Sequence, residues 1–229
     1  MGLYQHPPTG EYRLLLHMRA KERIYKNDPC FVFALGCNQL RPRCIGHPPE
    51  PEGFFDAPVL VSGNLHWSWC PYTPGQLGKI ITVFDTTTES FRLMRGPVVQ
   101  TTTTFLYEMD GTLGVYNCNY SMTTIDIWVM QDYDSEVWSH KYHVKLLVAE
   151  IEEHENQEVT VVHEEGNVFV LYNFDEYKLC LVDTAGKLLA SSQLNASISL
   201  TATHRFKESL VQHIFFSALQ GDLNAWSFI

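Results

Sequence analysis

Short apolar runs, separated by polar turn residues, extend along most of the chain. Many runs alternate apolar and polar positions, as strands with one buried face do, and they are rich in Val, Ile, Thr, Tyr, Phe and Trp. Most gaps between them hold two to nine residues and contain Gly, Asp, Asn, Ser or Pro, which favour turns. The pattern predicts a nearly all-β chain whose antiparallel strands follow sequence order. The predicted strands cover residues 12–18, 30–36, 58–63, 63–69, 79–85, 90–94, 103–111, 111–118, 124–132, 136–146, 158–166, 166–173, 177–186 and 187–192.

A unit of four predicted strands recurs three times. Each copy reads strand, tight turn with glycine, strand, loop, strand, turn with aspartate, strand. The turn glycines are Gly63, Gly111 and Gly166, which lie 48 and 55 residues apart. Glycine suits such turns because it adopts a positive φ without a side-chain clash. Four-stranded units repeating at about 40 to 50 residues are typical of propeller blades.

An incomplete unit precedes these three, with residues 12–18, 30–36 and 42–46 as its second, third and fourth strands. The sequence therefore predicts an all-β fold, a partial (open or incomplete) β-propeller of about three to four four-stranded antiparallel blades. We expect a single domain over residues 1–229 that is incomplete on its N-terminal side.

The tail departs from this pattern. Between residues 204 and 221, Phe206, Leu210, Ile214 and Ala218 recur at steps of four residues, and Gly221 follows. This spacing predicts a short C-terminal helix, with a continued strand as the alternative.

The segment FDTTTESFRL (84–93) is interpreted as the turn between the third and fourth strands of a blade. Asp85, Asp183 and either Asp132 or Asp134 end or follow a third strand in the three repeats. An aspartate at this position can accept hydrogen bonds from backbone N–H groups of the turn.

The net charge and the N-terminal sequence narrow the range of expected partners and locations. The 26 acidic and 16 basic residues give a net charge of −10, which disfavours a nucleic-acid partner. The N-terminus has no signal-peptide pattern and no run reaches the length of a membrane helix, so we expect no membrane partner and a cytoplasmic or nuclear location. The six cysteines lack the close pairs of zinc knuckles and are expected to be buried or half-buried free thiols.

An ordered series of segments resembles the F-box-associated β-propeller domain of plant F-box proteins, in its type 3 form. The segments are HPPTGEYRLLL (6–16), FALGCNQLRPRCI (33–45), APVLVSGNLHW (57–67), IITVFDTTTESFRLM (80–94), LYEMDGTLGV (106–115), IDIWVMQDYDSEVWSHKYHV (125–144) and ESLV (208–211).

In that family the propeller follows an F-box, which docks on Skp1 in an SCF-type ubiquitin ligase, and the propeller is thought to capture the target protein. The resemblance implies a non-catalytic substrate-recognition module with an unknown target protein. The chain lacks an F-box and the family's opening strands, so Skp1 binding is not expected. A propeller hydrolase or carbohydrate-active enzyme, and a degenerate fragment without independent function, are the alternatives.

No catalytic constellation or nucleotide-binding motif is present in the sequence, so we predict no catalytic residue and no cofactor. His140 and His143 are three residues apart on a predicted strand and should point to opposite faces, which argues against a metal site.

The loops between second and third strands and the connections between blades are longer and more varied than the turns, and they carry aromatic residues. Rigid sheets that present variable loops commonly bind partners there. The alternative is that each aromatic side chain folds back over its own blade. Trp67, Trp128 and Trp138 lie within strands and are expected to pack between blades, whereas Trp69 fits either role. The predicted partner-binding residues are Phe54, Phe55, Trp69, Tyr72, Tyr120, Phe174 and Tyr177.

Overall fold

The computed structural model describes residues 2–17, 29–36, 41–49, 57–68, 80–97, 103–119, 123–146, 157–162, 168–173 and 178–193. All of them fall within one compact unit, Met1–Ser199. The predicted helix at 204–221 and the predicted turn at Gly166 lie outside the described residues. In the described part of the chain, no helix is long and apolar enough to cross a membrane.

In the residues that the structure describes, sixteen strands form four four-stranded antiparallel sheets, each a meander in chain order. We call these sheets blades 1 to 4. The strands are β1 (Gly2–Gln5), β2 (Tyr12–His17), β3 (Cys30–Ala34) and β4 (Arg43–Gly46) in blade 1; β5 (Val59–Val61), β6 (Asn64–Ser68), β7 (Ile80–Asp85) and β8 (Ser90–Arg95) in blade 2; β9 (Thr103–Met109), β10 (Thr112–Cys118), β11 (Thr124–Asp132) and β12 (Val137–Lys145) in blade 3; and β13 (Gln157–Val162), β14 (Val168–Asn173), β15 (Lys178–Val182) and β16 (Leu188–Gln193) in blade 4.

Blade 1 has one strand more than the sequence predicted. Gly2–Gln5 forms β1 and pairs antiparallel with β2, from Gly2 opposite Leu15 to Gln5 opposite Tyr12. Tyr4 of this strand is buried and Leu3 is 54% exposed. The expectation that the first strand of this blade is missing was therefore wrong, because four residues are too few for a period-2 pattern to stand out.

Two-residue hairpins join the first two strands of blades 2 and 3. Ser62 and Gly63 have φ of 49° and 71°, and Asp110 and Gly111 have φ of 50° and 78°. Two successive positive φ values are the mark of the type I′ turn, whose twist matches that of the flanking strands. The predicted roles of Gly63 and Gly111 are confirmed.

The predicted aspartate turns are also confirmed. Oδ1 of Asp85 accepts hydrogen bonds from the backbone N–H groups of Thr87 (2.7 Å) and Thr88 (3.1 Å). Asp132, and not Asp134, occupies this position in blade 3, where it accepts from Asp134 and Ser135 at 3.0 Å each.

In blade 4, Asp183 accepts from the N–H groups of Ala185 and Lys187 at 2.9 Å each. All three aspartates hold a turn between a third and a fourth strand, so the segment at 84–93 is the predicted connection.

Buried clusters join successive blades. Tyr4, Leu15, Cys30 and Val32 of blade 1 pack with Leu65, Trp67 and Phe84 of blade 2. A second cluster joins blades 2 and 3, and Trp128 and Trp138 pack against it. A third joins blade 3 to Cys180 and Val182 of blade 4. The fold is a partial β-propeller, and the three tryptophans pack between blades as predicted.

Candidate functional site

The loop face is the side of the sheets from which the strand 2–3 loops and the inter-blade connections leave. In blade 3 the structure describes the base of such a loop. The Asn119 N–H donates to the carbonyl of Thr124 (3.2 Å), and the Thr124 N–H donates to Asn119 Oδ1 (2.9 Å). Asn119 Nδ2 also donates to Thr123 Oγ1 (2.8 Å). These bonds fix both ends of the loop at 119–124.

A polar cluster lies close to this loop base in sequence and register. Asp126 is two residues into β11, where it pairs with Asn117 of β10 and His143 of β12. Its Oδ1 atom accepts hydrogen bonds from His140 Nε2 (2.9 Å) and His143 Nδ1 (2.7 Å). We call Asp126, His140 and His143 the Asp126 cluster.

The expected separation of His140 from His143 was wrong. The β11–β12 register shifts between Ile127 and Trp128, because Ile127 pairs with Tyr142 and Trp128 pairs with His140. The shift leaves Lys141 as an extra residue, which brings both imidazoles to the same carboxylate. Among the described residues, no group of three or more His, Cys, Asp or Glu side chains is arranged to hold a metal ion.

The hydrogen bonds set the charge state of the Asp126 cluster. Partial burial raises the pKa of Asp126, but the hydrogen bonds from His143 and His140 outweigh that effect and hold the pKa below its ordinary value. The carboxylate is therefore ionised at neutral pH. When the rings are neutral, the second nitrogen of each imidazole is a hydrogen-bond acceptor. The side chains are 31 to 47% exposed, so a partner can reach them.

The strand 3–4 turns hold neighbouring blades together. Glu89 follows the Asp85 turn with φ of 52° and reaches blade 1. Its Oε1 atom accepts from the Tyr4 hydroxyl and from Arg13 Nη1, both at 2.6 Å. Arg43 pairs with its Oε2 atom. The Glu89 side chain is only 7% exposed.

Glu136 has the matching place in blade 3, with φ of 55°. It accepts from Arg92 Nη1 (3.2 Å) and from the backbone N–H of Arg95 (2.9 Å), both in β8 of blade 2. Trp138 Nε1 donates to the carbonyl of Arg95 (2.8 Å). The turns of blades 2 and 3 therefore both contact the preceding blade.

A buried histidine adds a polar bond between blades 2 and 3. His66 is fully buried; its Nδ1 lies 3.1 Å from the carbonyl of Val59 and its Nε2 2.7 Å from the Tyr133 hydroxyl. Because a carbonyl only accepts, Nδ1 carries the proton and Nε2 accepts from Tyr133. Burial, with a smaller contribution from Arg92, lowers the pKa of His66 to about 4.

The family model for the F-box associated beta propeller domain matches residues 6–188. The chain belongs to the F-box-associated β-propeller family. No curated protein matches the chain, and no F-box domain is detected in it. Domains of this family are typically non-catalytic. The match contains every segment that carried the resemblance except ESLV (208–211), and it begins just after β1.

All seven aromatic residues predicted to bind a partner lie outside the described residues, so their role in this F-box-associated propeller stays a prediction. Tyr120 immediately follows Asn119, within the loop whose ends are fixed. The other six are Phe54, Phe55, Trp69, Tyr72, Phe174 and Tyr177.

Sequence reasoning missed the Asp126 cluster and the glutamates of the turns. The cluster depends on a register shift, for which the sequence carries no clear sign. The glutamates did leave a signal, because Glu89 and Glu136 each lie four residues after a turn aspartate, Asp85 and Asp132. Reading the repeat beyond its glycines and aspartates would have found them.

Proposed function

We propose that this F-box-associated propeller is a non-catalytic protein-recognition module that captures a target protein with its loop face. The family match supports the domain type. The choice of face is supported by one observation: the strand 3–4 turns are used to contact neighbouring blades.

The polar side chains of these turns already have partners within the chain. The carboxylates of Glu89 and Glu136 accept hydrogen bonds from the preceding blade, and the turn aspartates accept hydrogen bonds from backbone N–H groups of their own turns. The loop at 119–124, by contrast, is fixed at its ends and lies close in sequence to the half-exposed Asp126 cluster. Loops that a rigid scaffold holds in place, next to exposed hydrogen-bonding groups, commonly bind partner molecules.

In the wider proposal, the captured protein is a target for ubiquitination by an SCF-type ligase. The proposal concerns the target-binding half alone, because the F-box that docks on Skp1 in such proteins is not detected in these residues. An adaptor of this kind would act in the cytoplasm or nucleus, where such ligases meet their targets.

The test uses immobilised protein and extract from the source organism, with bound proteins identified by mass spectrometry. Replacing Tyr72 and Tyr120 together by Ala should remove the specific partner. The control is Val137→Ala, at a 48% exposed position that follows the Asp132 turn, and it should retain the partner. Circular dichroism must show that both variants remain folded. Equal capture by a folded double variant would contradict the assignment of the loop face.

A further inference from the structure

Each blade in the middle of the stack presents a back face to the blade before it. In blade 2 this face includes Leu65 and Trp67, which pack against blade 1 and are each 1% exposed. In blade 3 it includes Leu113 and Val115, which pack against blade 2 and are 0% exposed. The second strand of a blade thus supplies two large apolar side chains to this contact.

Blade 1 carries the same kind of face. Leu15 of β2 points to blade 2, so its neighbours Leu14 and Leu16 point to the opposite side. In register, Leu14 lies between Leu3 and Phe33. A second row is formed by Leu16, Phe31 and Cys44.

This back face of blade 1 is less covered than its counterparts. Leu14, Leu16, Phe31 and Phe33 are half-buried, and Leu3 is 54% exposed. None of these residues belongs to the three buried clusters that the described residues form.

We call the side of a blade that points towards the next blade its forward face. In blade 4 this face is less buried than the matching face of blade 2. Val83 lies two residues before the turn aspartate of blade 2, faces blade 3 and is 0% exposed. Leu181 lies two residues before Asp183, at the matching place in blade 4, but is half-buried. Its cross-strand partner Ala190 is exposed.

We propose that the back face of blade 1 binds the forward face of blade 4 of a second copy of this chain. The two faces are the halves of one blade–blade contact. The side chains described on them remain partly exposed, namely Leu14, Leu16, Phe31 and Phe33 on blade 1 and Leu181 and Ala190 on blade 4. If blade 4 closed onto blade 1 of the same chain, Leu14, Leu16 and Leu181 would be as buried as Leu65 and Val83. Two copies joined head to tail through two such contacts would form a ring of about eight blades, within the size range of propellers.

Analytical ultracentrifugation of the full chain tests this arrangement. The wild type should sediment as a dimer, with twice the mass of the 26.3 kDa chain. Leu14→Glu and Leu181→Glu should each raise the dimer dissociation constant about a thousand-fold, because each variant removes one apolar contact from both interfaces. Leu93→Glu is the control, because Leu93 is 40% exposed on β8 and should leave the dimer unchanged.

Mixing the two variants distinguishes head-to-tail from back-to-back association. A mixture of Leu14→Glu and Leu181→Glu chains contains one intact pair of faces and should form a dimer more tightly than either variant alone. A dimer that is sensitive to Leu14→Glu but not to Leu181→Glu would overturn the proposal.

The thiol of Cys44 gives a second readout, which is made on the wild-type chain. Cys44 is an exposed free cysteine on the back face of blade 1, so its reaction with a thiol reagent should slow as protein concentration rises. The Cys44→Ser variant supplies the background from other thiols. A wild-type monomer at all concentrations, with Cys44 either freely reactive or protected throughout, would overturn the proposal; so would open polymers that grow with concentration.

Discussion

Lowering the pH should destabilise the contact between blades 2 and 3 through His66. The ring is fully buried and neutral, bonded to the carbonyl of Val59 and to the Tyr133 hydroxyl. Protonation would place a second proton on Nε2, which then could not accept the hydrogen bond from Tyr133. It would also place a charge in a site from which water is excluded.

The size of the effect follows from the two pKa values. Burial lowers the pKa of His66 from 6.5 to about 4, so the folded protein takes up this proton less readily than the unfolded chain. The stabilisation that comes from keeping His66 neutral is fully present above pH 6.5 and is lost as the pH falls from there towards 4. The loss amounts to about 2 kcal/mol at about pH 5 and at most about 3 kcal/mol below pH 4.

Two aspartates contribute to the pH dependence of stability at lower pH than His66. Hydrogen bonds from His143 and His140 to Asp126, and from Ser135 and Asp134 to Asp132, hold both pKa values below the ordinary 3.8. Their stabilising effect is present above that value and is lost as the pH falls through the lowered pKa. The interval between pH 6.5 and 4 is therefore suited to measuring the effect of His66 on the free energy of unfolding.

The assay is urea unfolding followed by tryptophan fluorescence at a series of pH values. The variant His66→Gln lacks the titrating group, so its free energy of unfolding should be lower at neutral pH but should fall less between pH 6.5 and 4. His47 is exposed, and His47→Gln should retain the wild-type pH dependence. Parallel loss of stability in the wild type and His66→Gln would refute the role of His66.

Two further changes test the contacts between blades. Trp67→Ala removes the largest fully buried side chain in the contact of blades 1 and 2 and should lower the free energy of unfolding by about 3 to 5 kcal/mol; a loss below about 1 kcal/mol in urea unfolding would contradict that packing. Glu89→Gln keeps the shape of a side chain that is 7% exposed but removes the buried carboxylate that pairs with Arg13, which then keeps its ion pair with Glu11; it should lower the free energy of unfolding by about 2 kcal/mol. The matched change Glu136→Gln, at a side chain that is 25% exposed, should cost below about 1 kcal/mol, and equal losses would show that burial does not set the strength of these pairs.

Local features were predictable from the sequence. The hairpin glycines, Gly63 and Gly111, and the aspartates of the turns act on residues within four positions of themselves. Their chemistry is therefore visible in a short stretch of sequence. With the strand pattern, they indicated both the blade and its repeat.

Features that depend on register or on another blade were not predictable in the same way. The position of His140 beside His143 requires the shift in the pairing of β11 with β12. The role of Gly2–Gln5 requires the neighbouring strand and the cover that blade 2 gives to Tyr4. Single-residue register changes reverse the side of a sheet on which a side chain lies, so a periodicity argument fails wherever a bulge occurs.

The strand 3–4 turns show why the residue type at a repeated position is a poor guide to its role. In blade 4 the turn residue with positive φ is Gly186 (80°), three residues after Asp183, whereas in blades 2 and 3 it is Glu89 or Glu136, four residues after the turn aspartate. A Cβ atom on Gly186 would lie 1.8 Å from the carbonyl oxygen of Lys145, at the end of β12 in the preceding blade. Blade 4 therefore makes by close backbone approach the contact that blades 2 and 3 make through a carboxylate. What the three turns share is a left-handed backbone residue placed against the preceding blade, and this similarity becomes visible only when the blades are assembled.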